Sequence, residues 1–198
     1  MRSIPHGLFL AAIPLLGGCA TAPSVPALAR EVALENAGFE LPAEADRNCA
    51  VRWGCSVHAD PSAFRFAVDA TIASEGKQSL RIEPAGKEPW AVAAQVVRDL
   101  RLRGTRLRLS FAMKTEGVTG KGAGPWVEVQ DGYGRRMSNH TEYATGTQDW
   151  ARRSIEFVVP AGMYQFEVGT ILDGQGKVWI DDFRLEVLEV DSSQKKPV

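Results

Sequence analysis

The side chains best suited to covalent or metal chemistry are Cys49 and Cys55, in the segment Cys-Ala-Val-Arg-Trp-Gly-Cys. Two cysteines at this spacing form a disulfide or supply two ligands to a zinc ion. Zinc is the weaker interpretation, because no second cysteine pair accompanies them and His58 and His140 are far apart in the sequence. The choice between the two depends on the redox compartment in which the chain folds.

Sequence motifs for catalysis or nucleotide binding are absent. The chain has no Gly-x-Ser-x-Gly nucleophile turn, no His-Glu-x-x-His zinc helix and no phosphate-binding loop of the Gly-x-x-x-x-Gly-Lys type. The glycine-rich segment Gly120–Gly124 lacks the spacing of a dinucleotide-binding turn. We expect a non-catalytic protein. Two carboxylates positioned for glycoside hydrolysis leave no sequence signature, so catalysis is the less favoured alternative.

Residues 1–18 have the composition of a secretion signal. Arg2 supplies a positive charge, an apolar run extends from Leu8 to Leu16, and the tetrapeptide Leu-Gly-Gly-Cys ends at Cys19. A run of about nine residues is too short to cross a bilayer as a helix, which takes roughly 20. The tetrapeptide resembles the lipobox of bacterial lipoproteins, in which the signal is removed and the cysteine is lipidated.

This resemblance implies a mature protein that begins at a lipidated Cys19, with acyl chains such as palmitate. Ala20 follows the cysteine in place of the Asp that favours inner-membrane retention, so we expect attachment to the outer membrane, facing the periplasm. Residues 19–30 then form a flexible tether. The alternative is a secreted protein cut near Ala20 or Ala22 and carrying no lipid. An oxidising periplasm favours a disulfide between Cys49 and Cys55.

The overall charge excludes a dedicated nucleic-acid binder. Lys and Arg total 23 against 24 Asp and Glu, which gives a formal net charge of −1. The 19 glycines and 11 prolines are more typical of strands joined by tight turns than of a helical bundle. The composition therefore favours a soluble β-rich domain.

The dominant hydrophobic pattern has a period of two. Leu107, Leu109, Phe111 and Met113 alternate with polar or small residues, as in a strand with one buried face. The run Ala91–Leu102 also reads as strand, because it is rich in valine. Similar alternation recurs around residues 127–129, 155–159, 164–170 and 179–187, with turn clusters at 119–125, 131–134, 160–162 and 173–176. We predict one all-β sandwich over residues 31–190, followed by a polar tail at 191–198.

Several segments together resemble bacterial galactose-binding-like domains, the jelly-roll group that contains many carbohydrate-binding modules. They are Leu34–Glu40, Gly76–Ile82, Leu102–Ser110, Thr147–Trp150 and Gly176–Glu186. The resemblance implies a jelly-roll β-sandwich that binds a glycan or another small polar ligand. The alternative is a structural lipoprotein that holds a protein partner in an envelope assembly and has no sugar ligand.

A sugar site needs an aromatic platform and polar groups that reach the hydroxyls. Trp126 lies on the opposite parity from Val127 and Val129, and so shares a strand face with Glu128 and Gln130. We predict an open groove that also includes Arg108 and Gln95. The alternative is a solvated face with Arg–Glu pairs across strands.

Other tryptophans allow a second location for a ligand. Trp53, Trp90 and Tyr133 are predicted on loops at the edge of the sandwich, whereas Trp150 and Trp179 are predicted in the core.

The resemblance also implies a structural calcium ion. Its ligands by position are Glu40, the backbone around Lys77, and Asp182 or Asp181. The alternative is that Glu40 and Asp182 pair with arginines or cap strand ends.

Overall fold

The structure is a computed structural model that describes residues 30–41 and 49–190. The predicted signal, Cys19, most of the tether and the C-terminal tail lie outside these residues. Ten strands form the described part of the chain: β1 (Arg30–Val32), β2 (Gly54–Val57), β3 (Phe64–Asp69), β4 (Ser79–Pro84), β5 (Trp90–Val97), β6 (Thr105–Gln130), β7 (Arg136–Thr141), β8 (Ala144–Val158), β9 (Gln165–Asp173) and β10 (Lys177–Val190).

The strands form two layers that share the long strand β6. Residues 105–116 of β6 pair with β8 and β10, and residues 122–130 pair with β7 and β9. The first sheet therefore has the order β3-β4-β10-β6-β8, with β1 also beside β10. The second sheet has the order β2-β5-β9-β6-β7. All these pairings are antiparallel, and the predicted β-sandwich is confirmed.

The glycine cluster within β6 carries the chain from one sheet to the other. The sequence predicts a turn at 119–125, and this prediction is wrong because strand pairing continues through the segment. Gly120 and Gly122 have φ values of 79° and 123°, which side chains other than glycine rarely adopt. The strand bends here without ending. The turns predicted at 131–134, 160–162 and 173–176 are confirmed. The strand predicted over Ala91–Leu102 is confirmed as far as Val97, whereas Leu100–Leu102 form a short 3-10 helix.

The core lies between the two sheets and follows the predicted parity. Leu107, Leu109 and Phe111 of the first sheet and Val127 and Val129 of the second are fully buried. Burial of apolar side chains on both inner faces is what stabilises a two-layer β fold. No helix among the described residues is long and apolar enough to cross a membrane.

The predicted disulfide between Cys49 and Cys55 is confirmed, with a Cα–Cα distance of 5.5 Å. The short loop it closes directs Trp53 inward, and only 2% of this residue is exposed. The Trp53 ring lies 4.7 Å from that of Phe183 and 5.0 Å from that of Phe39, centroid to centroid. Trp53 lies on a loop, as predicted, but its burial leaves no ring face exposed for stacking on a ligand.

Candidate functional site

The outward face of the second sheet carries an apolar cluster separate from the main core. Val92 of β5 and Ile171 of β9 are cross-strand partners there, and Ala94 lies beside them. Their exposed fractions are only 4%, 7% and 7% in the order Val92, Ala94, Ile171. Such burial on an outward face requires a cover, which Trp90 and Trp126 provide by packing against the cluster. We call Val92, Ala94 and Ile171 the apolar floor.

The register of three strands makes room for the two indoles. Trp126 of β6 lies opposite Gly169 of β9, which in turn lies opposite Ala94 of β5. A Cβ added at Gly169 would stand 2.0 Å from the carbonyl oxygen of Ala93, so the approach of β5 requires glycine. The small residues beside Trp126 leave a depression of about 420 Å³, lined by Trp126 and Trp90.

Ion pairs border this depression. Lys121 Nζ lies 2.8 Å from Asp173 Oδ2, and the Arg136 guanidinium lies 2.7 Å from Glu128 Oε2. Glu128 also accepts a hydrogen bond of 2.9 Å from the side-chain amide of Gln130. Charged groups held by partners of opposite sign present fixed donors and acceptors to a ligand, which suits recognition of hydroxyl groups.

Glu167 differs from the other acids of this face. It lies directly opposite Glu128 across the β6–β9 pair, and it is half-buried. Burial, and secondarily the negative charge of Glu128, raises the pKa of the Glu167 carboxyl. It lines a second depression of about 650 Å³, which also borders Ser56 and Val92, as the first one does. The two depressions therefore adjoin along the outward face.

The structure brings together three of the five predicted ligand residues. Trp126, Glu128 and Gln130 project from the same side of β6, within the second sheet. Arg108 is on the half of β6 that belongs to the first sheet, 2.7 Å from Glu156. Gln95 alternates along β5 with the outward residues Val92 and Ala94, so its side chain leaves the opposite side of the strand.

Gln95 instead fastens the N-terminal segment to the sandwich. Its side chain accepts a hydrogen bond of 2.8 Å from the backbone amide of Glu35 and donates one of 2.8 Å to the carbonyl of the same residue. It also donates to the carbonyl of Arg52 at 3.1 Å. Gln95 nevertheless lines the depression of about 650 Å³ that also contains Glu167, so it borders the candidate face. The prediction of Arg108 as a groove residue is wrong, because Arg108 lies in the first sheet.

The remaining predicted aromatic residues are dispersed. Trp90 borders the depression described above. Tyr133 is 86% exposed in the turn between β6 and β7, with the Arg135 guanidinium 5.1 Å from its ring centroid. Trp179 is buried, as predicted, whereas Trp150 is only half-buried.

Sequence reasoning missed the contribution of β9 to this face. Phe166, Val168 and Leu172 point into the core, so Glu167 and Ile171, on the alternate parity, must point outward. That signal is present in the sequence. Ile171 conceals it, because an apolar residue in a strand is ordinarily assigned to the core.

The predicted calcium ligands lie together where the N-terminal segment meets the turn before β4. Glu40 Oε1 accepts hydrogen bonds from the backbone amides of Lys77 at 2.7 Å and Gln78 at 3.1 Å. Asp182 forms ion pairs with Arg152 and, at 3.0 Å, with Arg184. For Asp182 this is the arginine pairing named as the alternative.

The donor groups at this place do not match a calcium shell. Calcium takes six to eight oxygen ligands, whereas backbone N–H groups face the carboxylates of Glu40 and the neighbouring Asp181. Within residues 30–41 and 49–190, no group of three His, Cys, Asp or Glu side chains is arranged to hold a metal. The carboxylates would have to exchange amide partners for the ion. Calcium binding stays a prediction.

Comparison with known proteins identifies the fold. No family model matches this sequence, and no curated protein matches it. Among solved structures, the CBM22-1 xylan-binding domain of Xyn10C from Paenibacillus barcinonensis is similar, with a TM-score of 0.56, 17% identity, and coverage of 77% of this chain and 92% of that domain. The C-terminal family 22 carbohydrate-binding module of Clostridium thermocellum Xyn10B is similar with a TM-score of 0.55, 16% identity, and coverage of 77% and 91%.

A third similar structure is TmCBM61 in complex with β-1,4-galactotriose, with a TM-score of 0.50, 20% identity, and coverage of 77% of this chain and 95% of that one. At such low identities these likenesses show the fold alone. The described part of the chain is a jelly-roll β-sandwich of the kind found in carbohydrate-binding modules, as the sequence predicts. The ligand must be argued from the site.

Proposed function

We propose that this protein is a non-catalytic, lipid-anchored protein of the bacterial cell envelope that binds a glycan on the outward face of its second sheet. The observation that carries the proposal is the pair Trp90 and Trp126, packed over the apolar floor and bordered by ion pairs. Sugar rings have an apolar face and a polar rim. An aromatic wall with fixed polar groups beside it complements both.

The similar structures support this proposal without deciding it. Two of them are named for binding xylan or for a bound β-1,4-galactotriose. Their fold is shared over about three-quarters of this chain. The open shape of the two adjoining depressions is suited to a short stretch of a polymer rather than to an enclosed small molecule.

Replacement of Trp126 by alanine should weaken glycan binding by about tenfold or more, because it removes an aromatic contact that contributes about 1.4 kcal/mol. The full chain is first screened on an array of envelope and plant polysaccharides, and the affinity for each ligand found is measured by calorimetry. Trp150→Ala is the matched control, since Trp150 is a half-buried tryptophan of β8, in the first sheet. Both variants must keep a β-sheet circular-dichroism spectrum.

Two results would count against glycan binding on this face. One is an array on which the wild-type chain binds nothing, which favours the protein-partner alternative. The other is a glycan that binds both variants and the wild type equally, which would place its site elsewhere on the molecule.

The anchor is proposed from the segment that ends at Cys19. Each buried methylene contributes about 0.8 kcal/mol, so several acyl chains hold a protein on a membrane almost permanently. Mass spectrometry of the protein purified from its native membrane should show a mature N-terminus at an acylated Cys19. A mature chain that begins at another residue, or an unmodified Cys19, would refute lipidation.

A further inference from the structure

One carboxylate on the outward face of the second sheet has no ion-pair partner. Three cations of this face each have an acid of their own: Arg136 pairs with Glu128 at 2.7 Å, Lys121 with Asp173 at 2.8 Å and Arg52 with Glu35 at 3.0 Å. Glu167 is the acid without a cation: within the described residues its side chain has neither a hydrogen-bond partner nor an ionic one. The same face carries one cation without an acid, Arg98, whose guanidinium donates to Gln165 Oε1 at 2.8 Å.

The surroundings of Glu167 further destabilise the negative charge of its carboxylate. Its neighbour across the sheet is Glu128, a second carboxylate, and the side chain is half-buried. A carboxylate that has lost part of its hydration and faces another negative charge is stabilised by any cation that approaches it. At the Glu167 carboxylate the same field repels uronate, sulfate and phosphate groups.

Glu167 is close to the aromatic platform. Trp126 pairs with Gly169, and Glu128 pairs with Glu167, so the two pairs are neighbouring outward positions on the same two strands. Outward positions on a strand repeat about every 7 Å. A substituent of a sugar ring stacked on Trp126, or of the next ring in the polymer, is within reach of the Glu167 carboxylate.

We propose that this face selects glycans that carry free amino groups, and that the Glu167 carboxylate accepts hydrogen bonds from the protonated amine. This inference rests on the proposed glycan-binding function and names the chemical class of its ligand. The Trp126 indole supplies the contact that any sugar ring can make. Glu167 supplies the contact that distinguishes an amino sugar from a neutral one.

The test compares two chito-oligosaccharides of equal length, one fully deacetylated and one fully N-acetylated. Calorimetry on the full chain should give at least about tenfold tighter binding of the deacetylated oligomer, the usual scale of one charge-assisted hydrogen bond. Glu167→Gln should abolish this preference and leave the affinity for the N-acetylated oligomer nearly unchanged. Glu189→Gln removes an exposed charge from β10 in the first sheet, and this control should keep the preference.

The preference should also depend on pH in one direction. As the pH rises through the raised pKa of Glu167, the carboxyl loses its proton and becomes able to bind the ammonium group. The ratio of the two affinities should therefore increase with pH while the amines remain protonated. In Glu167→Gln this increase should disappear.

The outcomes separate this inference from the proposed function. Equal affinities for the two oligomers, both lost in Trp126→Ala, would overturn the amino-sugar preference and retain the glycan-binding face. A preference that survives in Glu167→Gln would show that another group binds the amine, and would overturn the assignment of this role to Glu167. If neither oligomer binds and no array glycan depends on Trp126, both proposals fail.

Discussion

Replacing Trp53 by alanine should lower the free energy of unfolding by about 3–5 kcal/mol, the usual cost of removing a large aromatic side chain from a core. Only 2% of Trp53 is exposed, and its ring packs against those of Phe39 and Phe183. Its indole Nε1 also donates a hydrogen bond of 3.0 Å to the carbonyl of Asn36. The variant therefore loses apolar contacts and leaves a backbone acceptor without its partner.

Urea unfolding followed by circular dichroism measures this loss. Trp150→Ala is the control, because it deletes the same side chain from a half-buried position. We expect the unfolding midpoint of Trp53→Ala to fall well below that of the control. A midpoint close to the wild-type value would show that Trp53 is not part of the core.

The contrast between these two tryptophans shows what a local pattern omits. The sequence predicts Trp53 on a loop at the edge of the sandwich, where it could contact a ligand, and Trp150 in the core. A short loop closed by a disulfide is expected to expose most of its side chains. The seven-residue loop from Cys49 to Cys55 instead directs Trp53 inward, where its ring packs between those of Phe39 and Phe183. Those partners are distant in the sequence, so no local alternation indicates them.

The candidate site shows a similar limit. Alternation correctly assigns Trp126 and Glu128 to one face of their strand, because side-chain direction depends only on the pleat. It also assigns Arg108 to an outward face, and that too is correct. The error concerns which sheet carries Arg108, since β6 passes from the first sheet to the second between these residues. The alternation of side chains along a strand determines which face of the strand a residue lies on. Which of the two sheets carries that residue depends on pairing with strands distant in the sequence.

The juxtaposition of Glu128 and Glu167 is likewise a product of long-range register. The two residues lie on strands separated by β7 and β8 in the sequence. Like charges directly opposite each other destabilise a sheet. Arg136 offsets the charge of Glu128 alone, and the fold retains an acid at position 167 on the face that also carries Trp126. This local conflict between stability and charge is typical of a functional surface.

A second large effect is expected at Asp181, which is fully buried at the start of the closing Asp-Asp pair. Its Oδ2 accepts hydrogen bonds of 2.9 Å from the backbone amides of both Ser74 and Glu75, and its Oδ1 accepts one of 2.7 Å from the amide of Asp182. Asp181→Asn replaces one acceptor oxygen by an NH₂ group, so at least one amide faces another donor. We expect a loss of about 2–3 kcal/mol in the free energy of unfolding.

Asp182→Asn is the matched control, because it makes the same chemical change one residue later. Asp182 has a φ of 48°, which asparagine tolerates well. Its ion pairs with Arg152 and Arg184 are partly exposed and contribute less than about 1 kcal/mol. Thermal melts should therefore separate the two variants clearly, and hydrogen exchange should accelerate at the Ser74 and Glu75 amides in Asp181→Asn alone. Equal melting temperatures for the two variants would show that the Asp181 carboxylate does not fasten this turn to β10.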